Sequence, residues 1–273
     1  MKRKTLELLA CSTCHGDPSL REAGDGGIIE SGMLVCAKGQ RRYPIKEGIP
    51  HFVEPQELVG PNARFARFYD WFTHIYFLFN NAAFFFLGGV RKSRKEDVLD
   101  RLELTGGRVL EVSIGPGINL PYLFQTPGKI EVYGLDISLG QLHHCQSFCR
   151  RRGLEAELFL AMAEALPFKD DAFDATFHIG GINFFGDKQA AIDEMIRVAR
   201  PGTKVAIADE NENVAQSLDW FPWLRRLFEK QREAVTTPVD LVPPAMQEIK
   251  AESIWKGMGW VVEFRKPARQ EGG

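Results

Sequence analysis

The sequence predicts an α/β chain: a doubly wound, mostly parallel sheet preceded by a small β-rich domain. Three observations carry this. Between residues 107 and 265, short apolar runs alternate with amphipathic stretches, the pattern of a parallel sheet covered by helices on both faces. The first of those runs, residues 109–112, leads straight into the turn Gly115-Pro116-Gly117. Residues 1–57 are instead rich in Gly and turn signals, the pattern of short strands joined by tight loops.

Taken in order, residues 1–57 hold Cys11-Ser12-Thr13-Cys14, a Gly/Asp loop at 24–27, and Tyr43-Pro44-Ile45 running into Gly48-Ile49-Pro50. Residues 58–105 read as helical. Eight of the 20 Phe lie between Phe65 and Phe86, and Gly88-Gly89 closes that stretch. A charged amphipathic helix is predicted over 91–104, with Val98, Leu99 and Leu102 on one side. Residues 106–273 form the main domain. Strands are predicted at 108–112, 130–136, 158–161, 173–179 and 204–209, with helices at 139–151 and 188–199. Toward the C-terminus, residues 246–258 read as helical and 260–264 as a strand. A last strand is either absent or lies between 235 and 242.

Composition narrows the class. The 273 residues suffice for one α/β domain and a small module. A formal net charge of −2 gives no general attraction to nucleic acid or anionic membrane. Residues 1–60 are balanced too, with eight Lys or Arg against eight Asp or Glu. The basic start at Lys2-Arg3-Lys4 lacks the apolar run and cleavage site of a secretory signal, and the five cysteines are odd in number. Both features predict a cytoplasmic, reducing setting.

The sharpest motif is Val109-Leu110-Glu111-Val112-Ser113-Ile114-Gly115-Pro116-Gly117. A buried strand ends in an acid, then a Gly turn opens a helix and lets a ligand approach the backbone. Asp136 stands 21 residues after Gly115, at the tip of the next strand, where a carboxylate can accept from both ribose hydroxyls. These two elements define a Rossmann-like nucleotide site and suit NAD and S-adenosylmethionine equally.

Further segments separate the two. They are Ala163-Glu164-Ala165-Leu166-Pro167-Phe168, then Asp171-Ala172-Phe173-Asp174, then the run from Glu194 through Arg200-Pro201-Gly202. With the first two elements in this order, residues 95–210 resemble the class I S-adenosylmethionine-dependent methyltransferases, especially the ubiquinone/menaquinone C-methyltransferase branch. The resemblance implies that Glu111 faces the methionine amino group, that Gly115 and Gly117 line the turn, and that Asp136 holds the ribose. It also implies that Ile137 packs on adenine and that the Ala163 backbone meets the adenine edge. Two positions depart from the pattern: Ser113 replaces the first glycine, and Met162 replaces an acid that often receives the adenine amino group.

His178, at the end of the fourth strand, is the candidate base for an acceptor that must lose a proton, the alternative being a histidine that closes the pocket. Asn183 matches an Asn of the quinone-methyltransferase pattern and could orient a polar acceptor group. The aromatic segment is too short and too interrupted for a membrane span. It predicts either a greasy lid over a hydrophobic acceptor, with peripheral membrane contact open, or an interface with the first domain or with a second subunit in a homodimer. Trp220 through Leu224 could extend that wall. The leading function is methyl transfer to a hydrophobic or aromatic small molecule. RNA methylation, disfavoured by the neutral first domain, and a non-catalytic cofactor-binding partner are the alternatives.

In the first domain, Cys11, Cys14 and Cys36, followed by Arg42 through Pro50, resemble a small zinc-ribbon family that includes an activator subunit of tRNA and protein methyltransferases. The match covers residues 5–54. A structural zinc takes four ligands, and the second knuckle here reads Cys36-Ala37-Lys38-Gly39. Two states follow: zinc held by three cysteines with a histidine or water, or a metal-free ribbon.

Overall fold

The computed structural model describes residues 1–21, 24, 26–54, 56–60, 62–63, 66, 95–211 and 237–269. Most of the aromatic segment and the Trp220–Leu224 stretch therefore lie outside the described residues.

The main sheet is built from β5 (Gly107–Val112), β6 (Ile130–Asp136), β7 (Ala156–Leu160), β8 (Ala175–Ile179), β9 (Lys204–Glu210), β10 (Gln247–Ile254) and β11 (Gly259–Arg265). Its order is β10-β11-β9-β8-β5-β6-β7. The five strands from β9 to β7 are parallel, and β11 runs antiparallel between β9 and β10. β8 is buried at every position, because both faces are covered. This is the Rossmann-like fold the sequence predicts.

Among the described residues, three α-helices accompany the sheet: α1 (Leu120–Leu123), α2 (Leu139–Arg152) and α3 (Lys188–Val198). Local signals set their ends. The Ser138 hydroxyl caps α2 by accepting from Gln141 N, and Gly153 closes it in the left-handed conformation. Asp187 caps α3 in the same way, and Ala191, Ile192, Met195 and Val198 form its buried face.

Two expectations at the C-terminus are corrected. Residues 247–254, read as helical, form the edge strand β10, so the last strand is present. The segment proposed to hide it contains, among the described residues, a single 3-10 turn, Pro238–Leu241. Gln247, Glu248, Lys250, Ala251 and Glu252 are good helix formers, but the flank of β11 offers them an antiparallel ladder, interrupted by one register shift between Gln247 and Lys250. Ion pairs from Lys204 and Arg265 to Glu248, and from Arg101 to Glu252, pin the strand there. Within 91–104, the described residues include a short helical turn at 95–97 and a 3-10 helix, Leu99–Leu102, with Val98, Leu99 and Leu102 buried as expected.

The first domain is a 3-10 helix (Arg3–Leu8) and a four-stranded antiparallel sheet: β1 (Ser19–Arg21), β2 (Gly32–Cys36), β3 (Arg41–Lys46) and β4 (Ile49–Pro50). It does not stand apart. His51 bridges Leu160 in parallel, Phe52 N donates to Leu160 O at 2.8 Å, and Leu9 pairs with Phe168. The chain after β4 thus covers the free edge of β7. One apolar core joins Leu9, Tyr43 and Phe52 to Phe159, Phe168 and Phe173. Three edge-to-face ring contacts (Phe159–Phe168, Phe168–Phe173 and Tyr133–Phe173), at 4.9 to 5.4 Å, tie its centre.

Candidate functional site

Strand order reverses between β5 and β8: from β5 the chain winds outward through β6 and β7, and from β8 it winds the other way. In such sheets ligands bind beyond the carboxyl ends of the strands at that reversal. The loops following β5, β6, β7 and β8 carry the residues singled out in the sequence.

Glu111 is buried near the end of β5, and Asn119 Nδ2 donates to its Oε1 at 2.6 Å. The turn after β5 is strongly bent. Ser113, Gly115 and Gly117 all lie in the left-handed region, at φ 59°, 53° and 79°. For Ser113 this conformation costs about 1 kcal/mol or more, which explains why a glycine would suit that position. A Cβ on Gly117 would lie 2.7 Å from Cys145 Sγ and 2.8 Å from Leu120 Cδ1, so this glycine packs on the fold. A Cβ on Gly115 would meet nothing within 4 Å among the described residues. The Asp136 carboxylate is held to this turn: its Oδ2 accepts from Gly115 N at 3.0 Å and its Oδ1 accepts from Ser138 N at 2.9 Å. Ala161 N bonds Asp136 O, which brings Met162 and buried Ala163 to the same edge beside Ile137. Glu111, Ser113, Gly115, Gly117, Asp136, Ile137, Met162 and Ala163 therefore lie along the carboxyl edge of β5, β6 and β7.

His178 is fully buried. Its Nδ1 lies 2.9 Å from Val112 O, a pure acceptor, so Nδ1 carries the proton and Nε2 is the free lone pair. Among the described residues, no hydrogen-bond partner meets Nε2. Burial pushes the imidazole pKa below its ordinary value, against the opposing pull of Asp209, which keeps the ring neutral near pH 7. The Phe185 ring lies 5.0 Å away.

Two acids that the sequence reading did not single out organise the neighbouring loop. Asp209, near the end of β9, accepts from Gly181 N and Glu210 N through Oδ1 and from Asn183 Nδ2 through Oδ2. Asn183 in turn accepts from Lys188 Nζ at 3.3 Å. Glu164 Oε1 accepts from Asn62 Nδ2 at 3.0 Å and Gly186 N at 2.9 Å. The signal for Asp209 was present: like Glu111 and Asp136, it follows an apolar strand run.

In the first domain the sulfurs of Cys11, Cys14 and Cys36 all lie within 4.8 Å of one another, and among the described residues no His, Asp or Glu joins them. Burial raises the Cys11 thiol pKa, but the Tyr43 hydroxyl at 3.0 Å and the amides of Thr13 and Cys14 bring it down to about 7. Gly39 N donates to Cys36 Sγ at 3.3 Å. Soft, amide-supported sulfurs suit a thiophilic metal. Among the described residues three donors are supplied, one fewer than a closed four-ligand zinc site takes.

Comparison with known proteins agrees with these two parts. Residues 109–202 match the family model described as "Methyltransferase domain", and residues 2–48 match the one described as "Trm112p-like protein". The methyltransferase GfsG of Streptomyces halstedii is 35% identical over 117 residues, 42% of each chain. A demethylmenaquinone methyltransferase of Renibacterium salmoninarum is 33% identical over 124 residues, 45% of this chain and 49% of that protein. The chain thus spans less than half the length of these curated relatives. A solved SAM-dependent methyltransferase from Thermotoga maritima, 19% identical, superposes with TM-score 0.54 over 72% of this chain and 98% of its own, and shares the fold. Among the described residues no helix is long and apolar enough to cross a membrane.

Proposed function

We propose that this chain transfers a methyl group from S-adenosylmethionine to a hydrophobic or aromatic small molecule in a reducing, cytoplasmic setting. One observation carries the reading: buried carboxylates at Glu111 and Asp136 end adjacent strands at the reversal point, and the glycine between them opens onto free space. A fold that merely kept its ancestry would have no use for this combination. The two curated relatives named above support the class of reaction, and the quinone ring named in one of them supports an aromatic acceptor.

When bound, the cofactor supplies an electrophilic methyl on sulfur. Glu111, held by Asn119, would bind its amino group, Asp136 its ribose hydroxyls, and Ile137, Met162 and the Ala163 backbone its adenine. The turn at Ser113, Gly115 and Gly117 would bring backbone close to it. The remaining work is alignment of the acceptor and exclusion of water, which together can remove several kcal/mol of barrier. His178 would take the acceptor's proton at Nε2, the lone pair left free by the Val112 bond. Asp209 would hold the Gly181–Asn183 loop against it and stabilise the charged ring once protonated.

Calorimetric titration with S-adenosylhomocysteine tests the cofactor reading. Micromolar binding by the folded chain, lost in Asp136→Ala, is expected. A folded chain that binds none overturns it. With an isoprenoid quinol precursor as acceptor, His178→Gln should lower turnover about 10²-fold or more without weakening S-adenosylhomocysteine binding.

A further inference from the structure

Gly39 is a glycine that its backbone does not explain, for it is absent from the positive-φ positions of the chain. Space explains it. A Cβ built there would lie 2.9 Å from Cys14 Sγ, 3.0 Å from Cys11 Sγ and 3.6 Å from Cys36 Sγ, aimed into the middle of the three sulfurs. Gly16 approaches from another side, its Cβ position 3.4 Å from both Cys14 and Cys36 sulfurs. The two knuckles are otherwise intact, with the Gly39 amide donating to Cys36 and those of Thr13 and Cys14 serving Cys11. The residue that faces the cluster where a fourth donor would stand therefore has no side chain.

We infer that Cys11, Cys14 and Cys36 form a three-thiolate site for a thiophilic divalent cation, whose fourth coordination position, facing Gly39, is filled by a ligand from outside the chain. A d¹⁰ ion such as zinc takes four ligands in tetrahedral geometry, and sites with three protein ligands keep the fourth place exchangeable. Cys11 and Cys36 are buried and fix the ion from within. Cys14 and Gly39 are partly exposed and Lys38 is exposed, which leaves the fourth side reachable by water or a small thiol. Binding would deprotonate the thiols and release their protons to solvent. Three ligands also make the ion removable by chelators.

The inference is independent of the cofactor reading, and its test uses a different signal. The reduced full-length chain is titrated with cobalt(II), a coloured stand-in for zinc. One ion per chain is expected, with sulfur-to-metal charge transfer of the intensity of three thiolates. Adding 2-mercaptoethanol should then raise that intensity to four and shift the visible bands. Gly39→Cys should show four-thiolate intensity from the start and no response to added thiol, and Cys36→Ser should lose the spectrum. A folded, reduced chain that takes up no cobalt overturns the site. Uptake with bands indifferent to added thiol overturns the open position. The wild-type titration alone decides both points if Gly39→Cys does not fold.

Discussion

Gly115 and Gly117 occupy the same left-handed backbone region, at φ 53° and 79°, two residues apart in the turn after β5. Replacing either by alanine imposes the same local cost, about 1–2 kcal/mol for a Cβ in that conformation. The smaller entropy of the unfolded alanine chain offsets about 0.4–1 kcal/mol of this. Gly115→Ala should therefore destabilise by about 1 kcal/mol, since its Cβ meets nothing within 4 Å among the described residues. Gly117→Ala adds an overpacking term of about 1–3 kcal/mol, because its Cβ lands 2.7 Å from Cys145 Sγ and 2.8 Å from Leu120 Cδ1, both fully buried. Its total should be about 2–4 kcal/mol. Ligand binding should follow the opposite order of interest: the space before Gly115 is where the cofactor would lie, so Gly115→Ala should lose S-adenosylhomocysteine affinity at least tenfold, about 1.4 kcal/mol, while staying folded. Urea unfolding and calorimetric titration of both variants check the pair. Undiminished binding by Gly115→Ala would refute the cradle assignment, and equal stability of the two variants would refute the packing assigned to the turn.

Acid should weaken the fold through two buried histidines. His178 and His51 both have pKa values lowered chiefly by burial, His51 also by Lys46 and His143 against the opposing Glu54. The unfolded chain takes up these protons near pH 6.5 and the folded chain resists them, so stability is full above that pH. Below it, stability falls by up to about 1.4 kcal/mol per pH unit for each histidine. Urea midpoints at pH 7.5 and 5.5 should differ accordingly, and the double variant His51→Gln, His178→Gln should flatten the difference; a pH-independent wild type would contradict the assignment. Arg197 binds Phe168 O, Leu166 O, Asp170 and both oxygens of Glu194, at 2.6 to 3.0 Å, and so pins the segment after β7 to α3. A lysine cannot reproduce that fork, and Arg197→Lys should cost about 2–3 kcal/mol by thermal or urea unfolding.

Much of this molecule was legible along the chain because the signals were local. Apolar runs ending in Glu111 and Asp136 announced strands with acids at their tips. Ser138 and Asp187 announced helix starts, and Gly115 and Gly117 announced a turn. The order of these elements implies the sheet, since parallel strands joined by helices have few ways to pack. Other features depend on what lies opposite in space. Residues 247–254 carry helix-forming side chains and became a strand because β11 had an unpaired flank to fill. Asp209 and Glu164 acquire roles only when β9 and the segment after β7 reach the loop at 181–186. The first domain reads as separate in sequence, yet its core is continuous with the sheet through Leu9, Tyr43 and Phe52. Gly39 shows the division most clearly: the sequence alone determined that a fourth cysteine is missing, and the tertiary structure decided that the vacated place faces three sulfurs, because that depends on where two knuckles distant in sequence converge.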